Sequence, residues 1–184
     1  MLGNDIIDLH KVKAESNWQR AGYLTKIFNA EECVQILHAA KPDQMIWLLW
    51  SMKEASYKII NRENLQRFYN PKKFSCKLNG TDGMVDFEGR IYYTKSTTTE
   101  NLVHTIASKK KENLARIETY YAENRDDYVL KFNTKSSLYY IEKNEFGIPN
   151  LIEKRTGKSC AVSISHHGAY LAISADFLLQ KFPG

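Results

Sequence analysis

Residues 50–58, WSMKEASYK, put Lys53, Glu54 and Lys58 into an otherwise apolar stretch that begins MIWLLW. On a helix, Trp50, Glu54 and Lys58 fall at i, i+4 and i+8 and share one face, with Lys53 and Tyr57 beside them. Spacing alone allows nothing more than an intrahelical Glu–Lys pair, worth about 0.3 kcal/mol. The strongly apolar residues just upstream argue that this face is not wholly solvated. A second carboxylate, Asp5, sits in GNDIIDL, which reads as a short strand with Gly3, Asp5, Ile7 and Leu9 on one face and Asn4, Ile6 and Asp8 on the other. Such a carboxylate is costly in a sheet unless it is paired, hydrogen-bonded or metal-bound. Taken with Glu54 it would offer two hard oxygen ligands, the kind magnesium accepts when phosphates and water complete its octahedron. A plain strand-edge carboxylate bonded to the next turn is the alternative.

SISHHG brings Ser163, Ser165, His166 and His167 together near the end of the chain. Adjacent histidines cannot face the same way in a strand, so a His–His metal pair is disfavoured. A Ser–His nucleophile lacks both a G-x-S-x-G elbow and an obvious third member. On chemistry alone, a hydrogen-bonded structural histidine is the simpler account.

These residues must be positioned by a mixed set of elements. After the first strand a helix is expected to about Phe28. Asn29 and Glu32 then have capping-box spacing for a second helix to about Ala40, and Pro42 opens a long helix to about Asn61. KFSCKLNG, GMVDFEG, RIYYTKS and NLVHTIAS are short, β-rich and separated by Gly-containing turns, which reads as an antiparallel meander. ARIETYYA suggests a further strand, SSLYYIEKN either a strand or a short helix, and NEFGIPN a turn. The closing stretch CAVSISHHGAYLAISADF reads as a hairpin. No internal repeat or linker is visible. The expectation is one α+β domain over residues 1–184, with an antiparallel sheet and a long helix.

The composition of the 184 residues, 43% hydrophobic and 26% charged, is that of a folded globular chain. The N-terminus has no signal-peptide h-region and no stretch is apolar enough to span a bilayer, so a cytoplasmic protein is expected, with no membrane partner. Cys33, Cys76 and Cys160 have no metal-type spacing and read as reduced, packed thiols. The net charge of +5 favours an anionic partner without naming it. Scattered lysines and the absence of RNP-like aromatic spacing argue against nucleic acid, although a basic nucleic-acid-binding module is one rival reading.

Taken in order, Gly3-Asn4-Asp5-Ile6, the helix Trp50 to Lys58 and Ser163-Ile164-Ser165-His166 resemble the 4'-phosphopantetheinyl transferase superfamily, with its Gly-x-Asp-Ile strand, Trp/Phe-x-x-Lys-Glu-Ala-x-x-Lys helix and Ser-x-Ser-His segment. LTKIFNAEE, FYNPKKF and NEFGIP are similar to secondary motifs of that family, the last with Asn144 and Ile148 where the family has Asp and Lys. With one copy of the motifs beginning at the N-terminus, the chain is closer to the short holo-acyl-carrier-protein synthase type, with an enlarged β-rich insertion at about 80–135. The resemblance implies Mg2+-dependent transfer of the 4'-phosphopantetheine arm of coenzyme A, the co-substrate, to a serine of an apo acyl or peptidyl carrier protein of fatty acid, polyketide or peptide synthesis. It further implies Asp5 and Glu54 as metal ligands, Glu54 and Lys58 as catalytic residues, and Lys53, Lys58, Ser165 and His166 as cofactor contacts. Asp8 has no role assigned by it. Because the Ser-His segment comes from the opposite half in two-half members, the single copy implies a homo-oligomer, most simply a trimer, with the segment supplied by a neighbouring subunit. A divergent member without transfer activity, or with metal-dependent phosphodiesterase activity, is the other rival.

Overall fold

The computed structural model describes residues 1–65, 70–124 and 126–176. Phe68 and Tyr69 of FYNPKKF, and Phe177 at the end of the closing hairpin stretch, lie outside them. The chain opens with β1 (Leu2–Asp8), followed by α1 (Leu9–Glu15), α2 (Tyr23–Ile27), α3 (Ala30–Leu37) and α4 (Pro42–Asn64). The single helix expected up to Phe28 is thus broken in two, and Gly22 enters α2 in the left-handed conformation at φ +77°. The capping box forms as its spacing predicts: Glu32 N–H donates to Asn29 Oδ1 at 2.9 Å and Asn29 N–H donates to Glu32 Oε2 at 3.0 Å. Pro42 sits in the first turn of α4, where its missing N–H costs nothing.

The meander follows as β2 (Phe74–Asn79), β3 (Asp82–Phe87), β4 (Arg90–Thr98) and β5 (Leu102–Ser108). Then come β6 (Ile117–Glu123), α5 (Tyr128–Lys135), β7 (Tyr139–Lys143), β8 (Pro149–Glu153), β9 (Ser159–His167) and β10 (Tyr170–Asp176). SSLYYIEKN resolves as strand β7, while α5 and β8 have no clear signal in the sequence. Among the described residues two five-stranded antiparallel sheets result, one in the order β1-β5-β4-β3-β2 and the other β6-β10-β9-β8-β7. These orders are the same. In each, a first strand leads through helical structure into a four-strand meander whose last strand returns to pair with the first. The chain therefore repeats one architecture, although its sequence shows no repeat. The stretch expected as an enlarged β-rich region, about 80–135, holds β3, β4 and β5 of the first sheet, β6 of the second and α5.

Long α4 covers one face of the first sheet, burying Ile46, Leu49, Met52, Ala55 and Ile59 against Ile7, Val103 and Ala107. The second sheet has its own core, in which Phe132 of α5 packs with Leu151, Val162 and Ile173. The inner faces of the two sheets meet through Leu2, Ile6 and Ile106 and a set of polar residues, Asn4, His104, Ser163, Ser165 and Ser174, all buried. Among the described residues no helix is long and apolar enough to cross a membrane.

Lys53 takes a place the sequence did not suggest. Expected as a cofactor contact, it is 1% exposed and points into the core of the first half. Its ammonium donates to Glu32 Oε2 at 2.7 Å and to the carbonyls of Phe74, Pro71 and Ile27 at 2.7, 3.0 and 3.3 Å. Glu32 accepts in turn from Cys76 N–H at 2.8 Å. A buried cation so fully satisfied ties α3, α4 and the start of β2 together and has no donor left for a ligand. Lys53→Met should leave Glu32 buried without its counter-ion and cost roughly 3–5 kcal/mol of unfolding free energy in urea titrations, with the coenzyme A affinity of the folded fraction unchanged. Gly3→Ala should be comparably severe, because an added Cβ would sit 2.0 Å from the carbonyl oxygen of Ala55 and force α4 away from β1; calorimetry should show a depressed Tm.

Candidate active site

The close approach at Gly3 brings the charged face of α4 onto the strand. Lys58 Nζ donates to Asn4 O at 2.7 Å and lies 3.4 Å from Asp5 Oδ1, while Ser51 Oγ donates to Asp5 O at 3.2 Å. Glu54 is half-buried on the same helix face, between Ser51 and Lys58. Burial raises the Asp5 carboxyl above its ordinary range, and the neighbouring Lys58 ammonium only partly opposes this. Such a carboxyl would be ionised more readily beside a further cation. Asp5 and Glu54 offer hard oxygens suited to a divalent ion whose remaining ligands come from phosphates and water. Among the described residues no group of three or more His, Cys, Asp or Glu side chains is arranged to hold a metal.

A cleft of about 150 Å³ opens beside Lys58, lined on one side by Asn61 and Arg62 of α4 and on the other by Phe146, Pro149 and Ser163 of the second half. The Phe146–Pro149 turn belongs to NEFGIP. Asn144 holds that turn through its side chain, accepting from the N–H groups of Phe146 at 3.0 Å and Ile148 at 2.9 Å.

Strand β9 forms the far wall and meets β1, the edge strand of the first sheet, through side chains. Asn4 N–H donates to Ser163 Oγ at 2.9 Å and Asp8 N–H donates to His167 Nδ1 at 2.9 Å. Ser165, between them on the same face, is buried, and its hydroxyl has no hydrogen-bond partner among the described residues. His166 lies on the opposite face, exposed, 6.4 Å from the Tyr128 ring. The period of two therefore separates the expected Ser165–His166 pair, and the histidine that shares a face with Ser165 is His167. Asp8, unassigned from sequence, caps α1: its Oδ1 accepts from His10 N–H and Lys11 N–H, both at 3.0 Å. Its Oδ2 accepts from Ala169 N–H at 3.0 Å in the β9–β10 turn.

The Ser-His segment thus lies against β1 of the same chain. In the second half the strand in the position of β1 is β6, which turns Tyr120 toward α5, where its ring packs on Phe132 at 6.4 Å. That side carries an aromatic contact where the first carries Asp5 and Lys58.

Sequence reasoning missed Arg62, Asn4 and His104. Arg62 was within reach, since it extends the 50, 54, 58 spacing by one more turn. His104 gave no signal in NLVHTIAS. It is 3% exposed between the sheets, with Nε2 3.5 Å from Asn4 Nδ2 and Nδ1 2.9 Å from Tyr121 OH. Desolvation, with a smaller push from Lys58, lowers its pKa from 6.5 to about 4. A depressed folded pKa gives stability that is complete above pH 6.5 and lost as pH falls through about 4. Across that window the protein should lose on the order of 3 kcal/mol through this group, whereas His104→Gln should remove that part of the acid sensitivity in denaturation curves taken from pH 7 to 4.

The family model described as 4'-phosphopantetheinyl transferase superfamily matches residues 1–125, which contain β1, α4, Asp5, Glu54 and Lys58 but not β9. No curated protein matches the chain.

Proposed function

The chain belongs to the 4'-phosphopantetheinyl transferase superfamily, and from that premise we propose that it moves the 4'-phosphopantetheine arm of coenzyme A to a serine hydroxyl of an apo acyl or peptidyl carrier protein. The observation that carries this reading is Lys58, bonded to Asn4 O and 3.4 Å from Asp5 where α4 rests on β1, beside a cleft lined by both halves of the chain, with Glu54 one helical turn before it. In the reaction the serine oxygen attacks the phosphorus that bears the pantetheine arm. A new P–O bond forms, the bond to the bridging pyrophosphate oxygen breaks, and 3',5'-ADP leaves with the bonding electrons. Little covalent work falls to the protein in such a step, so positioning and charge neutralisation dominate.

Asp5 and Glu54 would hold Mg2+, which supplies neutralisation of the pyrophosphate oxygens. Lys58, anchored by the carbonyl of Asn4, directs its ammonium into the cleft mouth, where it would offset charge that builds on the phosphates and the leaving group. Glu54, one helical turn before Lys58, or a metal-bound water would take the serine proton. The hydroxyl of Ser165, buried and unpartnered among the described residues, is a donor ready for a phosphate oxygen. His166, outside that face, would meet the ligand only from the exposed side of β9.

Two sheets of the same order in one chain favour the two-half type of the family over the short holo-acyl-carrier-protein synthase type, and the site so built needs no second subunit. The positive net charge suits an acidic carrier domain through electrostatic steering. Incubation with coenzyme A, Mg2+ and several apo carrier proteins should add the mass of the arm to at least one of them, and no addition to any would sink the proposal. Glu54→Gln and Asp5→Asn should each abolish the addition, and Lys58→Met should lower kcat by roughly 100-fold.

A further inference from the structure

Between Val162 and His167, β9 is paired, among the described residues, along one edge, with β10. On the other edge β8 reaches no further than residues 159–161. Beside the packing of β1 on β9 and the Asn4–Ser163 hydrogen bond, the stretch has a fastening to the first half at each end. At the Val162 end, Arg62 spans the gap: Nη2 donates to the carbonyls of Val162 and Pro149, both at 2.6 Å, and Nη1 donates to Asn150 Oδ1 at 3.0 Å. These partners are all neutral, and burial lowers the guanidinium pKa. At the other end, Asp8 grips the β9–β10 turn, receiving Ala169 N–H on Oδ2 and giving its own N–H to His167 Nδ1. The turn lies so close that a Cβ on Gly168 would be 2.2 Å from Asp8 Oδ2. The stretch between carries Ser163, bonded to β1, and Ser165, whose hydroxyl is unpartnered among the described residues.

We propose that Arg62 and Asp8 are positioning residues that pin the two ends of this β9 stretch and so set the width of the cleft in which the pyrophosphate of coenzyme A lies between Lys58 and β9. The assignment to coenzyme A rests on the transferase reading above. Neither residue acts on the reacting atoms. Arg62 grows from the helix turn after Lys58, so the helix that presents the ammonium also gauges the distance to the opposite wall, about 6 Å further along its axis. Asp8 does the same from the end of the strand that carries Asp5. A slack pin would let β9 drift from the phosphates while leaving Asp5, Glu54 and Lys58 in place, so the loss should fall on cofactor binding and spare turnover.

Two conservative variants test this. Arg62→Lys keeps the charge but gives up the planar fork that reaches three acceptors. Asp8→Asn keeps an N-cap oxygen for α1, at which Asn serves as well as Asp, but replaces one acceptor by an amide that cannot receive Ala169 N–H. In the unliganded full chain, each variant should raise amide hydrogen exchange about 10-fold or more across residues 162–169, with β2, β3 and β4 exchanging at wild-type rates. In transfer assays the KM for coenzyme A should rise about 10-fold, with kcat and the KM for the carrier within about 3-fold of wild type. Unchanged exchange at 162–169, or a uniform rise in exchange with kcat and both KM values shifting together, would overturn the pinning role. If the wild type modifies no carrier, the transferase reading fails by itself, and the exchange data still decide whether Arg62 and Asp8 hold β9.

Discussion

The backbone of α4 touches the backbone of β1 at Gly3, and the rest of the site depends on that contact. With hydrogen in place of a side chain, Gly3 admits the carbonyl of Ala55 to a position that a Cβ would occupy. Ala55, 0% exposed, brings the smallest side chain of the helix to the same crossing. Only at this short separation can Lys58 reach the carbonyl of Asn4 and the carboxylate of Asp5. The glycine of Gly-x-Asp and the alanine of Lys-Glu-Ala are therefore two sides of one steric requirement, met by residues some fifty positions apart in sequence.

Lys53 and Lys58 lie five positions apart, and this turns them to different sides of α4. Lys58 emerges at the cleft, 30% exposed, beside a carboxylate that is itself held back from ionising by burial. Lys53 goes inward and is neutralised by Glu32, which is prepositioned by the capping box of α3. The same helix thus buries one lysine in the core and leaves the other part-exposed beside Asp5. The buried pair also explains why a helix of such mixed polarity packs stably: its deepest charge meets a carboxylate and three carbonyls at hydrogen-bond distance, so desolvation is compensated locally.

A repeated sheet order gives the chain two similar halves with different duties. The first contributes the acidic and basic residues on β1 and α4, and the second contributes an opposing wall through β9. Their shared seam is unusually polar, with Asn4, His104 and three serines buried between the inner faces. Polar seams of this kind are specific: Asn4 alone donates to Ser163 and to Ala172 O, the latter at 3.1 Å, and so fixes the register of one sheet against the other.

Most of the elements were legible from sequence, because their signals are local. The capping box, Pro42 at the head of α4, the Gly-containing turns of the meander and the β9–β10 hairpin all follow from backbone preference and short-range hydrogen bonding. Asp5, Glu54 and Lys58 were legible as candidates because helical and strand periodicity, with the resemblance, puts them on usable faces. What the sequence could not specify was every relation between distant segments. Whether a lysine of α4 points at a ligand or at Glu32 depends on which helix face meets α3. The duplication of the sheet is carried by topology and leaves no trace in residue identity. The partner of the Ser-His segment, assigned from motif count to another subunit, is β1 of the same chain, since Ser163 and His167 receive the free edge N–H groups of Asn4 and Asp8. Local free energy chooses the elements and the chemistry each can carry. Long-range packing and the need to satisfy buried polar groups choose which of them come to face one another, and only the tertiary structure decides that.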